Sequence, residues 1–307
     1  MKVISVNISK EKGTIKRPVE RIDLTGNGIE DDAHAGDWNR QVSLLARESF
    51  ERFAKIAKRM PDYGEFAENI TTEGLVLHTL NLLDRLTIGE VILEVTQIGK
   101  ECHGDSCAIY RETGQCIMPT EGIFCRVVNG GTIKAGEEIT VEPRVMRSLV
   151  ITLSNRAYHG TYRDKSGPAI TKILSEYFAE TSYPAATENI LIPDDAMQLE
   201  HLITTESASY DYIITTGGTG IGSEDITVDV VAPLLHKKLP GIMERIRIVY
   251  GANNPHALLS RSIAGVMDKT LIFTLPGSVK AVKEYMEEIK KIMIHALFMV
   301  WEIDVHH

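Results

Sequence analysis

The sequence predicts an α/β protein in two parts: a mainly β part over 1–142, and a part over 148–307 in which strands alternate with helices. Three observations carry this. The 307 residues are about twice the length of a typical single domain. Up to 142 the chain is a series of short β-like runs broken by glycine-rich turns. After 148, apolar runs alternate with segments of helical period.

Composition narrows the function classes. Hydrophobic residues at 43% and charged residues at 24% are the mix of a chain that buries cores. The net charge of −9 argues against a general phosphate-backbone binder, so no nucleic-acid partner is expected. No run reaches the roughly 18–20 apolar residues of a membrane span, and the first residues alternate like a strand. A cytoplasmic location without a membrane partner is therefore expected. Cys102, Cys107, Cys116 and Cys125 crowd into one stretch, which points to thiol or metal chemistry instead of a disulfide framework.

In the first part, 3–8, 41–45, 86–96 and 122–128 read as strands. A helix over 47–59 puts Phe50, Phe53, Ile56 and Ala57 on one face. The stretch 130–139 reads as a turn and hairpin closing a barrel, with Glu142, Pro143 and Arg144 as the exit and a linker at 143–147. In the second part, 148–153 is an apolar strand. Ile170, Ile173, Leu174, Tyr177 and Phe178 follow helical spacing, with Asp164 or Ser166 as N-cap and Pro168 in the first turn. A second strand spans 190–192, and Asp195 with Gln198 forms a capping box for a helix through Leu199, Leu202 and Ile203. The third strand is 212–215. A helix over 228–235 conflicts locally with Pro233. A later strand spans 271–275, and Val279, Val282, Met286, Ile289 and Met293 form one stripe along a long final helix.

The most informative segment is 216–227, TGGTGIGSEDIT, set between a strand and a helix. Glycines there let backbone N–H groups approach a ligand, and the next helix presents its positive end, so the architecture suits an anion. The spacing is neither GxGxxG nor Walker A, and a plain tight turn remains the alternative. Asp225 lies near the helix start. Asp194 follows the second strand at its carboxyl end, where ligands of open α/β sheets gather. Each alone reads as a helix-terminal charge or cap; together at a phosphate-binding edge they suggest Mg²⁺, which needs only one or two carboxylates beside phosphates and water. Ser260-Arg261-Ser262 and Pro276-Gly277-Ser278 are weaker segments when taken singly.

In this order, with Ile192-Pro193-Asp194 before them, these segments resemble the MogA/MoaB family of molybdopterin-binding proteins over 148–300. The resemblance implies a three-layer α/β domain, commonly a homo-oligomeric trimer, that takes molybdopterin. Its enzyme branch transfers AMP from ATP to the terminal phosphate of molybdopterin. Carried over residue by residue, Asp194 and Asp225 are catalytic and hold Mg²⁺. Thr216, Gly217, Gly218, Thr219 and Gly220 bind substrate, with Gly217, Gly218 and Gly220 as phosphate donors. Ser223 and Thr227 offer hydroxyls to phosphate. Ser260 and Arg261 form a further ligand-side motif, and Pro276, Gly277 and Ser278 a third. A carrier that holds molybdopterin without turning over ATP is the alternative.

In the first part, the segments 28–36, 40–45 and 68–74 lead to Gly99-Lys100-Glu101-Cys102-His103. This order resembles the MOSC family, named for the C-terminal domain of molybdenum cofactor sulfurase, over 1–142. It implies a mainly β barrel that carries sulfur as a persulfide on a cysteine, or binds molybdenum cofactor through it, independently of pyridoxal phosphate. Cys102 is the matching cysteine, with Lys100 or a protonated His103 placed to lower its pKa. Asp32, His34, Arg40 and Asn69 match polar motif positions. A zinc site using the cysteines and His103 is the alternative, although the spacing lacks close CxxC pairs. Cys116 and Cys125 read as buried, inert thiols. The two resemblances converge on molybdenum cofactor biosynthesis, with molybdoenzymes or other proteins of that pathway as partners.

Overall fold

A computed structural model describes residues 1–101 and 108–303, and the chain divides after Arg144 into two units, one built on Met1–Arg144 and one on Val145–Glu302. The first unit contains β1 (Lys2–Ile8), β2 (Arg17–Val19), β3 (Arg21–Thr25), β4 (Gly28–Ile29), β5 (Val42–Ala46), α1 (Arg47–Ala57), β6 (Ile70–Glu73), β7 (Arg85–Ile88), β8 (Val91–Ile98), α2 (Ala108–Thr113), α3 (Met118–Glu121), β9 (Ile123–Asn129), β10 (Gly131–Lys134) and β11 (Ile139–Glu142). Its larger sheet has the order β11-β7-β8-β9-β5-β6-β1-β2, and its smaller sheet β10-β3-β4. The sheets enclose an apolar core that includes Val6, Leu44, Ile70, Leu93 and Ile123.

The unit is rich in sheet as expected, but no closed barrel is detected among the described residues. The larger sheet runs from a β11 edge to a β2 edge, and the start of β1 meets the 136–139 turn only through an isolated bridge and bonds such as Val3 N–H to Glu137 O, 2.9 Å. The 130–139 hairpin is also absent. β10 pairs with β3 while β11 pairs with β7, and the turn between them is bonded to β1 through Gly136 N–H to Val3 O. The run read as one strand over 86–96 is a hairpin, β7 and β8, turning at Gly89-Glu90. In α1, Phe50 and Phe53 pack against Leu45, Phe66, Met118 and Phe124, but Ile56 is exposed. At 3.6 residues per turn it sits about 120° around the helix from Phe50.

The second unit contains β12 (Met146–Leu153), α4 (Asn155–Tyr158), α5 (Ser166–Glu180), β13 (Ala185–Ile192), α6 (Ala196–Glu206), β14 (Tyr212–Thr216), α7 (Thr227–Leu234), β15 (Lys237–Lys238), α8 (Pro240–Gly251), β16 (Ala264–Met267), β17 (Thr270–Leu275), α9 (Val279–Ile289) and α10 (Met293–Val300). The sheet order is β13-β12-β14-β17-β16-β15, with the first four strands parallel. Strand alternation sends Leu149, Ile151, Ile213 and Ile272 to the face covered by α6 and α7. The intervening Val150, Tyr212, Ile214 and Phe273 are buried on the other face, where α5 and α9 pack. Helices on both faces make the expected three layers.

Local caps explain the element starts. The N-cap position of α5 is Lys165 and not the expected Asp164 or Ser166, but Asp164 Oδ1 still accepts the first-turn N–H groups of Ser166 and Gly167 at 2.9 and 3.2 Å. Asp195 accepts the Gln198 N–H at 2.9 Å. Pro233 sits one residue before the end of α7, where the helix is already terminating. The long final helix is broken: α9 stops at Ile289 and Met293 opens α10, its carbonyl accepting the Tyr212 hydroxyl at 3.2 Å. No helix among the described residues is long and apolar enough to cross a membrane.

Candidate functional site

β12 has β13 on one side and β14 on the other, so the strand order reverses at β12 and a crevice opens at the carboxyl ends of these strands. A cavity of about 830 Å³ occupies this edge. Its lining brings together Asp194, Gly217, Gly218, Thr219, Gly220, Asp225, Ser260, Pro276, Gly277 and Ser278 from the sequence-derived set. Thr216, Ser223, Thr227 and Arg261 do not line it. Cys102 lies outside the described residues.

The glycine loop is shaped by what holds its carbonyls. Gly217 O accepts the Thr227 hydroxyl at 2.8 Å, and Gly218 O accepts the Thr227 N–H at 3.0 Å. Thr219 O accepts the Arg261 N–H at 2.9 Å, and Gly220 O accepts Arg261 Nε at 2.7 Å. With all peptides trans, each N–H points opposite to the preceding carbonyl, so the N–H groups of Gly218, Thr219, Gly220 and Ile221 turn away from these donors. None of the four has a hydrogen-bond partner among the described residues. Successive unpaired N–H groups of this kind form an anion-binding concavity.

Several expected ligand roles are corrected by the same bonds. Gly217 N–H is taken by Leu275 O at 3.0 Å and is not a phosphate donor. Glycine is required there for another reason: φ is +105°, and a Cβ would stand 2.3 Å from Leu153 O. Thr227 is fully buried and its hydroxyl is engaged by the loop, as Thr216 is by Pro276 O at 2.9 Å. Arg261 pairs with Asp229 and bonds Gly220 O and Asp225 O, acting as a loop clamp. Ser223 is exposed on the loop.

The two acids are held by backbone. Asp194 Oδ2 accepts the Asn155 N–H at 2.8 Å, and Asn155 Oδ1 accepts the Asp194 N–H at 3.1 Å. Asp225 Oδ2 accepts the Gly222 N–H at 2.8 Å. Each acid keeps a second oxygen without a hydrogen bond among the described residues. Asp164 differs, since one oxygen takes the Thr152 hydroxyl and the other the α5 N-terminus. No group of three or more candidate metal ligands occurs among the described residues. Two carboxylates beside an anion-binding loop nevertheless fit Mg²⁺, whose remaining ligands are phosphate oxygens and water.

Sequence reasoning missed Ser154, Asn155, Arg156, Tyr162, Asp164 and His256, all of which line the cavity. For the first three a signal existed, because they follow the carboxyl end of an apolar strand just as Asp194 does. Ser278 caps α9, accepting the Ala281 N–H at 3.2 Å, and adds a helix N-terminus to the same edge.

In the first unit the polar motif residues Asp32, His34 and Asn69 converge. Asp32 Oδ2 pairs with the Lys16 ammonium and accepts Asn69 Nδ2 at 3.1 Å, while Oδ1 accepts the His34 N–H at 2.9 Å. Burial pushes the Asp32 carboxyl up, but the bonds from His34 and Lys16 outweigh it and hold it below the ordinary range. Burial depresses the Lys16 ammonium, with Asp32 opposing. Arg40 stands apart, 5.1 Å from the ring centroid of Trp38, which stacks on His34. Cys125 is buried and its thiol is pushed up by desolvation, whereas Cys116, expected to be buried, is only half-buried. The reactive-thiol and zinc readings rest on Cys102, His103 and Cys107, which lie outside the described residues.

Comparison with known proteins follows the same division. The family model described as "Probable molybdopterin binding domain" matches 149–296, and that of the MOSC domain matches 31–140. A protein named gephyrin from Dictyostelium discoideum is 35% identical over 157 residues, 49% of this chain but only 22% of that protein. A molybdopterin adenylyltransferase of Helicobacter pylori strain J99 is 36% identical over 142 residues, 46% of this chain and 79% of that enzyme. The crystal structure of the tungsten cofactor synthesizing protein MoaB from Pyrococcus furiosus is 32% identical, covering 52% of this chain and 99% of that one with a TM-score of 0.46. The chain belongs to the molybdopterin-binding domain family, here joined to a MOSC domain.

Proposed function

We propose that the second unit transfers AMP from ATP to the terminal phosphate of molybdopterin, in molybdenum cofactor biosynthesis. The observation that carries this is the meeting of Asp194, Asp225 and the outward N–H groups of 218–221 around one cavity. In the reaction a phosphate oxygen of molybdopterin attacks the α-phosphorus of ATP. The new O–P bond forms as the bond to the bridging β-phosphate oxygen breaks, and pyrophosphate leaves with that electron pair. A phosphate monoester has its second pKa at about 6 and is already largely ionised near neutral pH, so no strong base is needed. Alignment and charge stabilisation then supply the rate. The loop N–H groups receive phosphate oxygens, and the α9 N-terminus at Ser278 favours negative charge. Asp194 and Asp225 would hold Mg²⁺, which when bound neutralises charge on the triphosphate.

We assign the first unit to sulfur or cofactor handling through Cys102, with molybdoenzymes or other proteins of the same pathway as partners, and the assembly to a homotrimer. Incubating the purified protein with Mg-ATP and molybdopterin tests the transferase: adenylylated pterin and pyrophosphate are expected in equal amounts. Pterin retention without either product overturns it and leaves a binding or carrier protein. For the first unit, Cys102→Ser is expected to abolish persulfide or cofactor loading while Cys116→Ser does not; equal losses refute the assignment.

A further inference from the structure

We propose that Arg156, in the cavity lining, and Lys165, beside the same Tyr162 ring, form a polyphosphate clamp recognising the β,γ-diphosphate of the nucleotide and the pyrophosphate it becomes. The inference deepens the adenylyl-transfer reading and rests on it for the identity of the ligand. Four carboxylates line the cavity, those of Asp164, Asp194, Glu224 and Asp225, and among the described lining residues Arg156 is the one Lys or Arg. A site with that balance repels a polyphosphate unless fixed positive charge meets it.

Arg156 is built for this role. Its carbonyl accepts the N–H groups of Thr161 and Tyr162 at 3.0 and 3.1 Å and the Thr161 hydroxyl at 2.8 Å, closing a tight loop. The loop brings the Tyr162 ring under its guanidinium, 5.7 Å from the centroid, with the Lys165 ammonium 5.9 Å from the same centroid. No carboxylate among the described residues pairs with either cation. An arginine stacked on a ring keeps its edge N–H groups free for paired phosphate oxygens. Lys165 does not itself line the cavity, but its approach to the same lining ring sets a second positive charge near Arg156 for a ligand with more than one phosphate. The clamp also sits one residue from Asn155, whose N–H holds Asp194, so it adjoins the acid that would carry the metal.

The test is titration calorimetry of the full chain with inorganic pyrophosphate and with orthophosphate, in the presence of Mg²⁺. Losing a charge-assisted contact predicts that Arg156→Ala weakens pyrophosphate binding about 10- to 100-fold, and Lys165→Ala several-fold. Arg156→Lys is expected to recover part of the loss, and the distant exposed Lys237→Ala to stay within about twofold of wild type. Unchanged pyrophosphate affinity in Arg156→Ala overturns the clamp, as does an equal loss in Lys237→Ala or an equal proportional loss for orthophosphate. If wild type transfers AMP but Arg156→Ala binds pyrophosphate normally, the clamp falls and the transferase stands. If pyrophosphate binding depends on Arg156 in a protein that makes no adenylylated product, the clamp stands and the transferase falls.

Discussion

Gly217→Ala is the sharpest probe of how the strand ends are packed. At φ +105° a side chain costs about 1–3 kcal/mol in backbone strain. The new Cβ would stand 2.3 Å from Leu153 O and 3.3 Å from its carbon, both main-chain atoms of β12 that cannot rotate away. Forcing β12 and β14 apart adds a further ~1–3 kcal/mol, as for overpacking elsewhere. The sum is about 2–6 kcal/mol, a large part of the roughly 5–15 kcal/mol that holds a domain folded. Gly160→Ala is the matched control: φ is +75° but nothing lies within 4 Å of its Cβ, so only strain applies, about 1 kcal/mol. The chain has two tryptophans, one in each unit, so Trp38→Phe leaves Trp301 to report on the second unit alone. Urea unfolding followed by Trp301 fluorescence should place Gly217→Ala about 1–5 kcal/mol below Gly160→Ala. Agreement of the two variants within about 0.5 kcal/mol would refute the close approach of the loop to Leu153.

Three further outcomes follow from the same geometry. Burial raises the Glu68 carboxyl from 4.5 to about 7, and its Oε2 has no hydrogen-bond partner among the described residues. The folded state binds that proton more tightly, so the contribution is full below about pH 4.5 and is lost as pH rises through 7, roughly 3 kcal/mol in all. Glu68→Gln should flatten this part of the pH dependence, read on Trp38 in a Trp301→Phe background; Asp32, held low, titrates below the window. Asp32→Ala should cost the first unit about 3–5 kcal/mol in the same assay, because it strands the fully buried Lys16 ammonium. Asp225→Asn keeps an acceptor for the Gly222 N–H, so stability should change by less than about 1 kcal/mol. Single-turnover AMP transfer should nevertheless fall about 10²- to 10³-fold if the carboxylate charge holds the metal.

The elements that were legible in the sequence are those whose signal is local. The strand-loop-helix unit around 216–227 is written in an apolar run, a cluster of glycines and a following helical period. Asp195 and Gln198 sit at capping distance in the chain. The rest depends on partners far away in sequence. β10 and β11 take partners about 110 and 50 residues back in the chain, β3 and β7, which the local turn signal at 130–139 does not reveal. The stripe from Val279 to Met293 has no Gly or Pro to mark the break between α9 and α10. Lys16 carries no local signal of burial; it is buried against Asp32, sixteen residues further along the chain.

Residues that read as ligand contacts in the sequence can also serve the shape of the loop that would meet the ligand. A loop that offers several consecutive N–H groups to an anion must turn the matching carbonyls inward, and each buried carbonyl then needs a donor. Thr227 and Arg261 supply those donors to 217–220, so loop geometry accounts for them without a contact to the ligand. Arg261→Lys is the discriminating change. Lysine has no fork to reach Gly220 O, Asp225 O and Asp229 together, although the backbone N–H to Thr219 O remains. Loop shaping predicts that the variant weakens phosphate binding by loosening 220–225 while leaving the charge count unchanged, and that faster amide exchange across 218–227 accompanies the loss. A variant that binds as tightly as wild type with unchanged exchange would refute the clamp. Weaker binding with unchanged exchange would return Arg261 to the ligand.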